Sequence, residues 1–185
     1  NTISFYPEGG NLVVGLNSHV TFQAYDEKGR DAVVNGCVLS KSGDTLSTFS
    51  TSVFGKGSFY IKPATVKSVA KVKFENKEYS FDMPEALDSG YVMQVDNSEN
   101  DFVGIVINKS TDLKPESLGV ALTCRGVLYG YDSFSIGEEN VVSLRFPKKM
   151  LPSGVSQITL FNDCGLPLAE RMIFVNHNSP INIEV

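Results

Sequence analysis

The side chains that most often carry chemistry are few and scattered in this sequence. Its two histidines, His19 and His177, stand far apart, and neither has a neighbour at the spacing of a zinc-binding or catalytic motif. No serine lies in the G-x-S-x-G pattern of a hydrolase nucleophile, and the glycines between Gly9 and Gly15 do not form a phosphate-binding loop. The sequence therefore predicts no catalytic residue, no metal site and no cofactor.

The three cysteines give no sign of a disulfide framework or a metal centre. Cys37, Cys124 and Cys164 are widely separated, their number is odd, and none belongs to a C-x-x-C pair. We interpret them as small buried or half-buried residues. A Cys124–Cys164 disulfide is the alternative, which the sequence leaves open because it does not give the separation of the two Cα atoms.

The run DNSENDF, from Asp96 to Phe102, is the most suggestive polar cluster. Asp96, Ser98 and Asn100 occupy the first, third and fifth positions of a calcium-loop pattern. Asp101 stands where that pattern has glycine, and no glutamate follows at the twelfth position. Two interpretations stay open, a loop that binds calcium in another geometry and a solvated hairpin loop, and the missing residues favour the second.

Several tyrosines could in principle form a platform on which carbohydrate stacks. The chain contains no tryptophan, which weakens that interpretation. Tyrosines on the faces of sandwiches more often cover their cross-strand neighbours, and we favour that role here. The residues concerned are Tyr6, Tyr25, Tyr60, Tyr129 and Tyr131.

Alternating apolar and polar residues predict the strands that must position these side chains. In HVTFQAY, for example, Val20, Phe22 and Ala24 fall on one face, and the same period of two recurs in AKVKFEN, GYVMQVD and VVSLRF. Runs rich in Asn, Asp and Gly separate these segments, as is typical of antiparallel sandwiches. The best helix candidate, FPKKML, is limited to one turn by Pro147 and Pro152.

The chain is long enough for two β-domains of similar size. Its 185 residues suit two modules of about 90 to 100 residues each. The run DMPEALDSGY, residues 82–91, interrupts the alternation and is typical of a linker. We predict an all-β fold of two tandem antiparallel β-sandwich domains, residues 1–88 and 89–185. The start without Met and the strand-like run at residues 180–185 favour a piece of a longer protein.

Composition and charge exclude two classes of partner. The net charge is −5, and the chain lacks the basic stripe that neutralises phosphates, so we expect no nucleic-acid partner. The longest apolar runs are only a few residues, so no segment of the chain is expected to span a membrane. A hydrophobic content of 42% with 20% charged residues is ordinary for a globular protein.

With these elements in order, the first half resembles a module of large Bacteroidetes cell-envelope proteins. These proteins carry macroglobulin-like (MG2-type) β-sandwich domains, and some are associated with TonB receptors. The resemblance rests on matching motifs in strands and turns, namely Phe5–Gly10, Leu12–Leu16, Ala24–Gly29, Val34–Val38 and Gly55–Phe59.

The second half resembles the next module of the same proteins. The matching motifs are Arg125-Gly126 with Tyr129, Leu151–Asn162, Pro167–Arg171 and Phe174–Asn176. Across both halves, the structural signature consists of Pro7, Gly9, Gly10, Arg125, Gly126, Pro152, Gly154, Glu170 and Arg171.

The resemblance implies a non-enzymatic structural or interaction segment of a cell-envelope protein, periplasmic or associated with the outer membrane. Its expected partners are other domains of the parent chain and an envelope protein. The Cys-Gly-Glu-Gln thioester run of alpha-macroglobulins is absent, so covalent protease trapping by this segment is not expected. The alternative is a ligand-binding module, for carbohydrate or for an outer-membrane import partner. An enzyme would need two carboxylates facing each other across a cleft.

The pair Glu170-Arg171 lies in a predicted hairpin formed by residues 151–175. Adjacent residues of a strand point to opposite faces, so the two side chains cannot form one catalytic pair. We predict that Ile158 and Leu160 share one face of the first strand. We also predict that Glu170 or Arg171 contacts another strand and stabilises the hairpin.

Overall fold

The computed structural model describes residues 1–75 and 77–177, and these form an all-β protein. The described residues include one 3-10 turn, Lys148–Met150, which confirms the single helical turn predicted between Pro147 and Pro152. The strand-like run at residues 180–185 lies outside the described residues. Within them, no helix is long and apolar enough to cross a membrane.

The chain divides into two compact units. The first contains Asn1–Gln94 and Ile107–Lys114, and the second contains Val95–Val106 and the described part of Pro115–Val185. The predicted domain boundary between residues 88 and 89 stays a prediction.

The first unit is a sandwich of antiparallel sheets. Its three-stranded sheet has the order β1-β3-β6, its four-stranded sheet has the order β5-β4-β7-β8, and β2 pairs in parallel with β9. The strands are β1 (Thr2–Pro7), β2 (Leu12–Val13), β3 (Ser18–Tyr25), β4 (Val34–Leu39), β5 (Thr45–Ser50), β6 (Lys56–Ile61), β7 (Val69–Phe74), β8 (Lys77–Asp82) and β9 (Ala86–Leu87).

The core of this sandwich joins the inner faces of the two sheets. Phe22 and Phe59 come from the three-stranded sheet, and Phe49 of the four-stranded sheet has its ring centroid 5.0 Å from each of theirs. Aromatic rings at such distances add to the free energy gained by burying their area. The alternation predicted for HVTFQAY is confirmed, since Val20 and Ala24 are fully buried with Phe22.

The run predicted as a linker contributes to the first core. Met83 and Ala86 are only 4% and 5% exposed, and strand β9 pairs with β2 through Ala86 and Leu12. A two-residue parallel strand has no period of its own, so the alternation of the sequence could not reveal it.

The second sandwich consists of a three-stranded sheet, β10-β11-β14, and a four-stranded sheet, β13-β12-β15-β16. Its described core includes Ile105, Leu122 and Leu160, which are at most 1% exposed. The strands are β10 (Tyr91–Asp96), β11 (Phe102–Lys109), β12 (Glu116–Cys124), β13 (Val127–Ile136), β14 (Val141–Pro147), β15 (Gly154–Asn162) and β16 (Pro167–Val175).

The hairpin predicted for residues 151–175 is confirmed as β15 and β16, which pair antiparallel. Ile158 and Leu160 share the buried face, as predicted. Asn162 closes the turn, because its side-chain Oδ1 accepts hydrogen bonds from the backbone N–H groups of Cys164 and Leu166.

The Cys124–Cys164 disulfide considered as an alternative is wrong. All three cysteines are free. Cys124 lies opposite Ser156, whereas Cys164 follows Asn162 at the other end of β15. That end is about 20 Å from Ser156 at the ordinary rise of a strand, far beyond the reach of a disulfide. The predicted burial holds for Cys124 and Cys37 but not for Cys164, which is exposed at the hairpin tip.

The signature residues Arg125 and Gly126 form the two-residue turn between β12 and β13. Cys124 pairs with Val127, and the two residues between them have φ values of 51° and 77°. Both positive values match a type I′ turn, whose twist suits a hairpin and which favours glycine at its second position. The Arg-Gly motif is therefore explained by backbone geometry.

Candidate functional site

The Asp96–Phe102 loop is closed by cations of the protein itself. The Lys148 ammonium donates to the backbone carbonyls of Asn97, at 2.8 Å, and Glu99. The Lys148 backbone N–H also donates to the carbonyl of Asp101 at 2.7 Å. Carbonyl oxygens of this kind are the ligands that calcium would use. The contacts therefore favour the hairpin-loop interpretation.

Arg145 completes this clamp on the loop from strand β14. Its guanidinium forms an ion pair with Glu99 and lies 4.4 Å from the ring centroid of Phe102. Hydrogen bonds from the Ser98 hydroxyl and backbone N–H, at the start of the loop, lower the pKa of Asp96. The polar residues that suggested a binding site are thus used to shape a turn.

The tyrosines singled out in the sequence do not form one cluster. Tyr129 and Tyr131 lie on β13 of the second unit, whereas Tyr6, Tyr25 and Tyr60 lie on the three-stranded sheet of the first. Tyr131 covers its own sheet, because its ring occupies the space where Gly119 lacks a side chain. That contact is the covering role predicted for sandwich tyrosines.

Tyr6 and Tyr60 stand out because both are exposed on the same side of one sheet. They are 57% and 59% exposed. Tyr6 lies opposite Thr21, which lies opposite Ser58, while Tyr60 lies opposite His19. Directly opposed residues of antiparallel strands share a face. We call this surface, formed by Tyr6, His19, Thr21, Ser58 and Tyr60, the tyrosine face.

A buried carboxylate fixes the histidine of the tyrosine face. Glu8 is 7% exposed, and its Oε2 lies 2.9 Å from His19 Nδ1. A carboxylate can only accept a hydrogen bond, so Nδ1 carries the proton and Nε2 is left as the second polar atom of the ring. The imidazole also lies against Tyr60, with ring centroids 4.8 Å apart. His19 is therefore held on two sides.

The turn after β1 brings Glu8 into this position. Gly9 and Gly10 have φ values of 80° and 103°, which glycine adopts without steric cost. The Glu8 N–H donates to the His19 carbonyl at 2.8 Å, which extends the pairing of β1 with β3 by one residue. The signature Pro7-Glu8-Gly9-Gly10 thus serves to place one carboxylate under one histidine.

A shallow groove runs beside Tyr6 on the same sheet. Its volume is about 420 Å³, and its lining includes Tyr6, Thr21, Gln23, Lys56 and Ser58. Gln23 is fixed at one end, since its Nε2 donates to Asp31 Oδ1 at 3.1 Å and to the Phe54 carbonyl at 3.0 Å. The Gln23 amide at that end of the groove is therefore held in a fixed orientation.

A larger groove of about 720 Å³ lies at the loop end of the first unit. Charged residues of both signs line it, and two of them, Asp26 and Arg30, form an ion pair with each other at 2.7 Å. Hydrogen bonds from the Arg30 backbone and side chain lower the pKa of Asp26 to about 2. The charged groups of Asp26 and Arg30 in this groove are thus used within their own turn.

The other titratable groups of chemical interest lie apart from one another. Nε2 of His177 lies 2.7 Å from the Leu151 carbonyl in the second unit. A hydrogen bond and the negative charge of Asp163 raise the pKa of Cys164. Among the described residues, no group of three His, Cys, Asp or Glu side chains could hold a metal ion.

The signature residues of the second half do not form a site either. Gly154 begins β15 at φ 137° and lies near the Arg125 guanidinium. Arg171 is half-buried and lies on the side of β16 that carries the buried Ala169, whereas Glu170 is exposed on the other side. The two side chains therefore face apart, as predicted, and their predicted role in stabilising the hairpin stays a prediction.

Comparison with known proteins adds only distant structural similarity. No protein-family model and no curated protein matches the chain. A tetra-tandem repeat from the extending region of a large adhesion protein has a TM-score of 0.37 and 12% identity, covering 94% of this chain. This chain covers 49% of that one, about half its length.

A segment of two fibronectin type-III domains from chicken tenascin has a TM-score of 0.34 and 9% identity, and covers 93% of this chain and 98% of that chain. Because these TM-scores lie below 0.5, the assignment of the chain to tandem antiparallel β-sandwiches rests on its own sheets and cores.

Sequence reasoning missed the Glu8–His19 pair and the pairing of Tyr60 with His19. The sequence contained both signals. One is Glu8, which stands between a proline and two glycines, and the other is His19, which begins an alternating run. Joining them requires the register of β1, β3 and β6, which depends on contacts between residues distant in the chain.

Proposed function

We propose that this chain is a non-enzymatic interaction segment of a larger cell-envelope protein, which contacts a partner through the tyrosine face. The observation that carries the proposal is the exposure of Tyr6 and Tyr60 on one sheet, around a histidine fixed by a buried glutamate. Exposed aromatic rings on a rigid support lose little conformational entropy on binding, which suits a recognition surface.

The ionisable residues support a non-enzymatic role, because the ion pairs that they form serve the local structure. Asp26 pairs with Arg30 inside one turn, and Glu99 pairs with Arg145 on the loop clamp. The Glu8 carboxylate is directed at His19. Catalysis by paired carboxylates would instead place two of them across a cleft from each other.

The location in the cell envelope and the macroglobulin-like family rest on the motif resemblance. The signature glycines at positions 9, 10, 126 and 154 all have positive φ, so the shared motifs preserve turn geometry. In this proposal the second sandwich spaces or orients neighbouring domains of the parent chain, and the first provides the contact surface.

Site-specific photo-crosslinking in the full parent protein tests this proposal. A photoreactive amino acid at Tyr60 is compared with the same amino acid at Ser80, which lies on the opposite sheet of the same sandwich. We expect crosslinks to an envelope component from position 60 at several times the yield from position 80. Equal yields from the two positions would contradict the proposal.

A further inference from the structure

The tyrosine face is almost uncharged, although the chain as a whole has an ordinary share of charged residues. Charged residues make up 20% of the chain. In strands β1, β3 and β6, all of whose residues the structure describes, the outward side chains comprise one lysine, one histidine and otherwise hydroxyl, amide and phenol groups. Charge complementarity therefore favours a neutral ligand.

The two tyrosines are spaced for a ligand longer than one small ring. They stand two strands apart and are offset by two residues along β3. Ordinary sheet dimensions place their Cα atoms about 12 Å apart. Thr21 and Ser58 lie in the same row as Tyr6, and His19 lies in the row of Tyr60. Hydrogen-bonding groups thus lie between the two rings.

This arrangement matches the two chemical features of a pyranose. The C–H groups on one side of the sugar ring are weakly positive and favour the negative face of an aromatic ring. The hydroxyl groups at the ring edge both donate and accept hydrogen bonds, as do the hydroxyls of Thr21 and Ser58. His19 adds an oriented polar nitrogen, because Glu8 holds its other nitrogen.

We propose that the tyrosine face binds a neutral oligosaccharide, with pyranose rings against Tyr6 and Tyr60 and sugar hydroxyls on His19, Thr21 and Ser58. The inference rests on the proposed function and names the chemical class of its partner. The groove of about 420 Å³ beside Tyr6 accommodates the part of the oligosaccharide that extends past Thr21.

Other occupants fit the tyrosine face less well. A protein interface has an apolar centre, whereas here hydroxyl groups separate the two exposed rings. Nucleic acid needs several cations, and the outward residues of the described strands β1, β3 and β6 include Lys56 alone as a lysine or arginine. Acidic polysaccharide is disfavoured for the same reason.

Calorimetric titration of the 185-residue chain tests the inference. The probes are hexasaccharides of β-1,4-glucose, β-1,3-glucose, β-1,4-mannose and β-1,4-N-acetylglucosamine. We expect at least one probe to bind with a dissociation constant of millimolar or lower. Tyr6→Ala and Tyr60→Ala should each weaken that binding about tenfold, the effect of losing one stacking contact.

Tyr131→Ala is the matched control, since Tyr131 is 60% exposed on a different sheet. Tyr131→Ala should change the dissociation constant by no more than about twofold, which is well below the tenfold change expected from losing one stacking contact. Binding that is lost in Tyr131→Ala but kept in Tyr6→Ala and Tyr60→Ala would overturn the inference, as would no binding of any probe at millimolar concentration.

The outcomes also separate this inference from the proposed function. If no hexasaccharide binds while position 60 still crosslinks to an envelope protein, the oligosaccharide assignment is wrong and the interaction segment stands. If neither experiment gives a signal specific to the tyrosine face, both are wrong.

Discussion

The two outer faces of the first sandwich differ in character although they share one core. On the four-stranded sheet, Lys71, Lys73, Glu78 and Asp82 point outward, and Lys71 Nζ donates to the Ser80 hydroxyl at 2.8 Å. We call this the charged face. The tyrosine face on the other sheet presents phenols, hydroxyls and one histidine.

The difference teaches which residues the fold explains. A charged outer face is what an antiparallel sheet needs in order to stay soluble, and the one directly opposed pair of opposite charge across β7 and β8, Lys73 and Glu78, contributes little else. The fold does not require two exposed tyrosines around a histidine that rests on a buried carboxylate. Residues of that kind call for a function, and the faces should therefore respond differently to mutation.

Substitutions on the inner sides of the two sheets should destabilise the sandwich to a similar extent. These substitutions should have the largest effects on the free energy of unfolding. Gly57→Ala would place a Cβ atom 2.5 Å from the Ser50 carbonyl oxygen and 2.6 Å from the Phe22 ring. The Cβ atom of Gly36→Ala would overlap the Lys71 carbonyl oxygen and lie 2.8 Å from the Phe49 ring. Each substitution should lower the free energy of unfolding by about 3 kcal/mol, measured by urea denaturation.

Gly137→Ala is the control for both substitutions, because a Cβ atom there meets nothing within 4 Å. It should change the free energy of unfolding by less than about 0.5 kcal/mol. A large effect at only one of the two inward-facing glycines, Gly36 and Gly57, would show that the sheets do not share a core as described.

Loss of the buried Glu8 carboxylate beside the tyrosine face should destabilise the protein more than loss of an exposed carboxylate on the charged face. Glu8→Ala leaves the half-buried His19 without its carboxylate, so we expect a loss of about 2 kcal/mol in the free energy of unfolding. Glu78→Ala on the charged face removes an exposed carboxylate and should cost less than about 0.5 kcal/mol. Equal effects of the two substitutions would remove the distinction between the faces.

The second sandwich offers the same test of inward against outward side chains. Arg171→Ala changes a half-buried residue on the core side of β16, and we expect it to lower the free energy of unfolding by about 1 kcal/mol. Glu170→Ala changes an exposed residue and should have less than half that effect. If neither substitution alters the melting temperature, the pair does not stabilise the hairpin.

The smallest expected effect is on the pH dependence of the melting temperature. The pKa of Asp26 in the folded chain is about 2, below the ordinary value of 3.8. Its contribution to stability is therefore complete above the ordinary pKa and is lost as pH falls toward 2. Asp26→Asn should remove this part of the pH dependence of the melting temperature, with a shift of about 2 °C or less because the turn is exposed.

Arg30→Gln is the companion variant. The largest cause of the lowered pKa of Asp26 is the Arg30 backbone N–H, which this substitution retains. It should therefore reduce the pH dependence between about 4 and 2 by less than Asp26→Asn does. A larger reduction would mean that the ion pair, and not the turn, holds the carboxylate ionised.

The strands were predictable because their physical cause is local. Alternation in HVTFQAY places Val20, Phe22 and Ala24 in the core, and the Arg125-Gly126 turn follows from two adjacent residues. The candidate site was not predictable in the same way. Tyr6 and Tyr60 were each considered, but their common face is created by pairing each with β3, across separations of 15 and 41 residues.

The polar loop teaches the converse lesson. Asp96, Ser98 and Asn100 suggested a cation site from spacing alone, and the cation that the loop holds is the Lys148 ammonium, about fifty residues away in the chain. Local spacing could not show this, because Lys148 is held by the backbone carbonyls of Asn97 and Glu99 and reaches the loop only in the folded sheet.

The most direct test of the central claim is the map of backbone amide shifts by NMR when the best-binding hexasaccharide is added to the 185-residue chain. The account predicts that the shifted amides fall on β1, β3 and β6 around Tyr6, His19 and Tyr60, with no change at Lys71 and Lys73 on the charged face. Shifts centred on the charged face, or on the second sandwich, would contradict it.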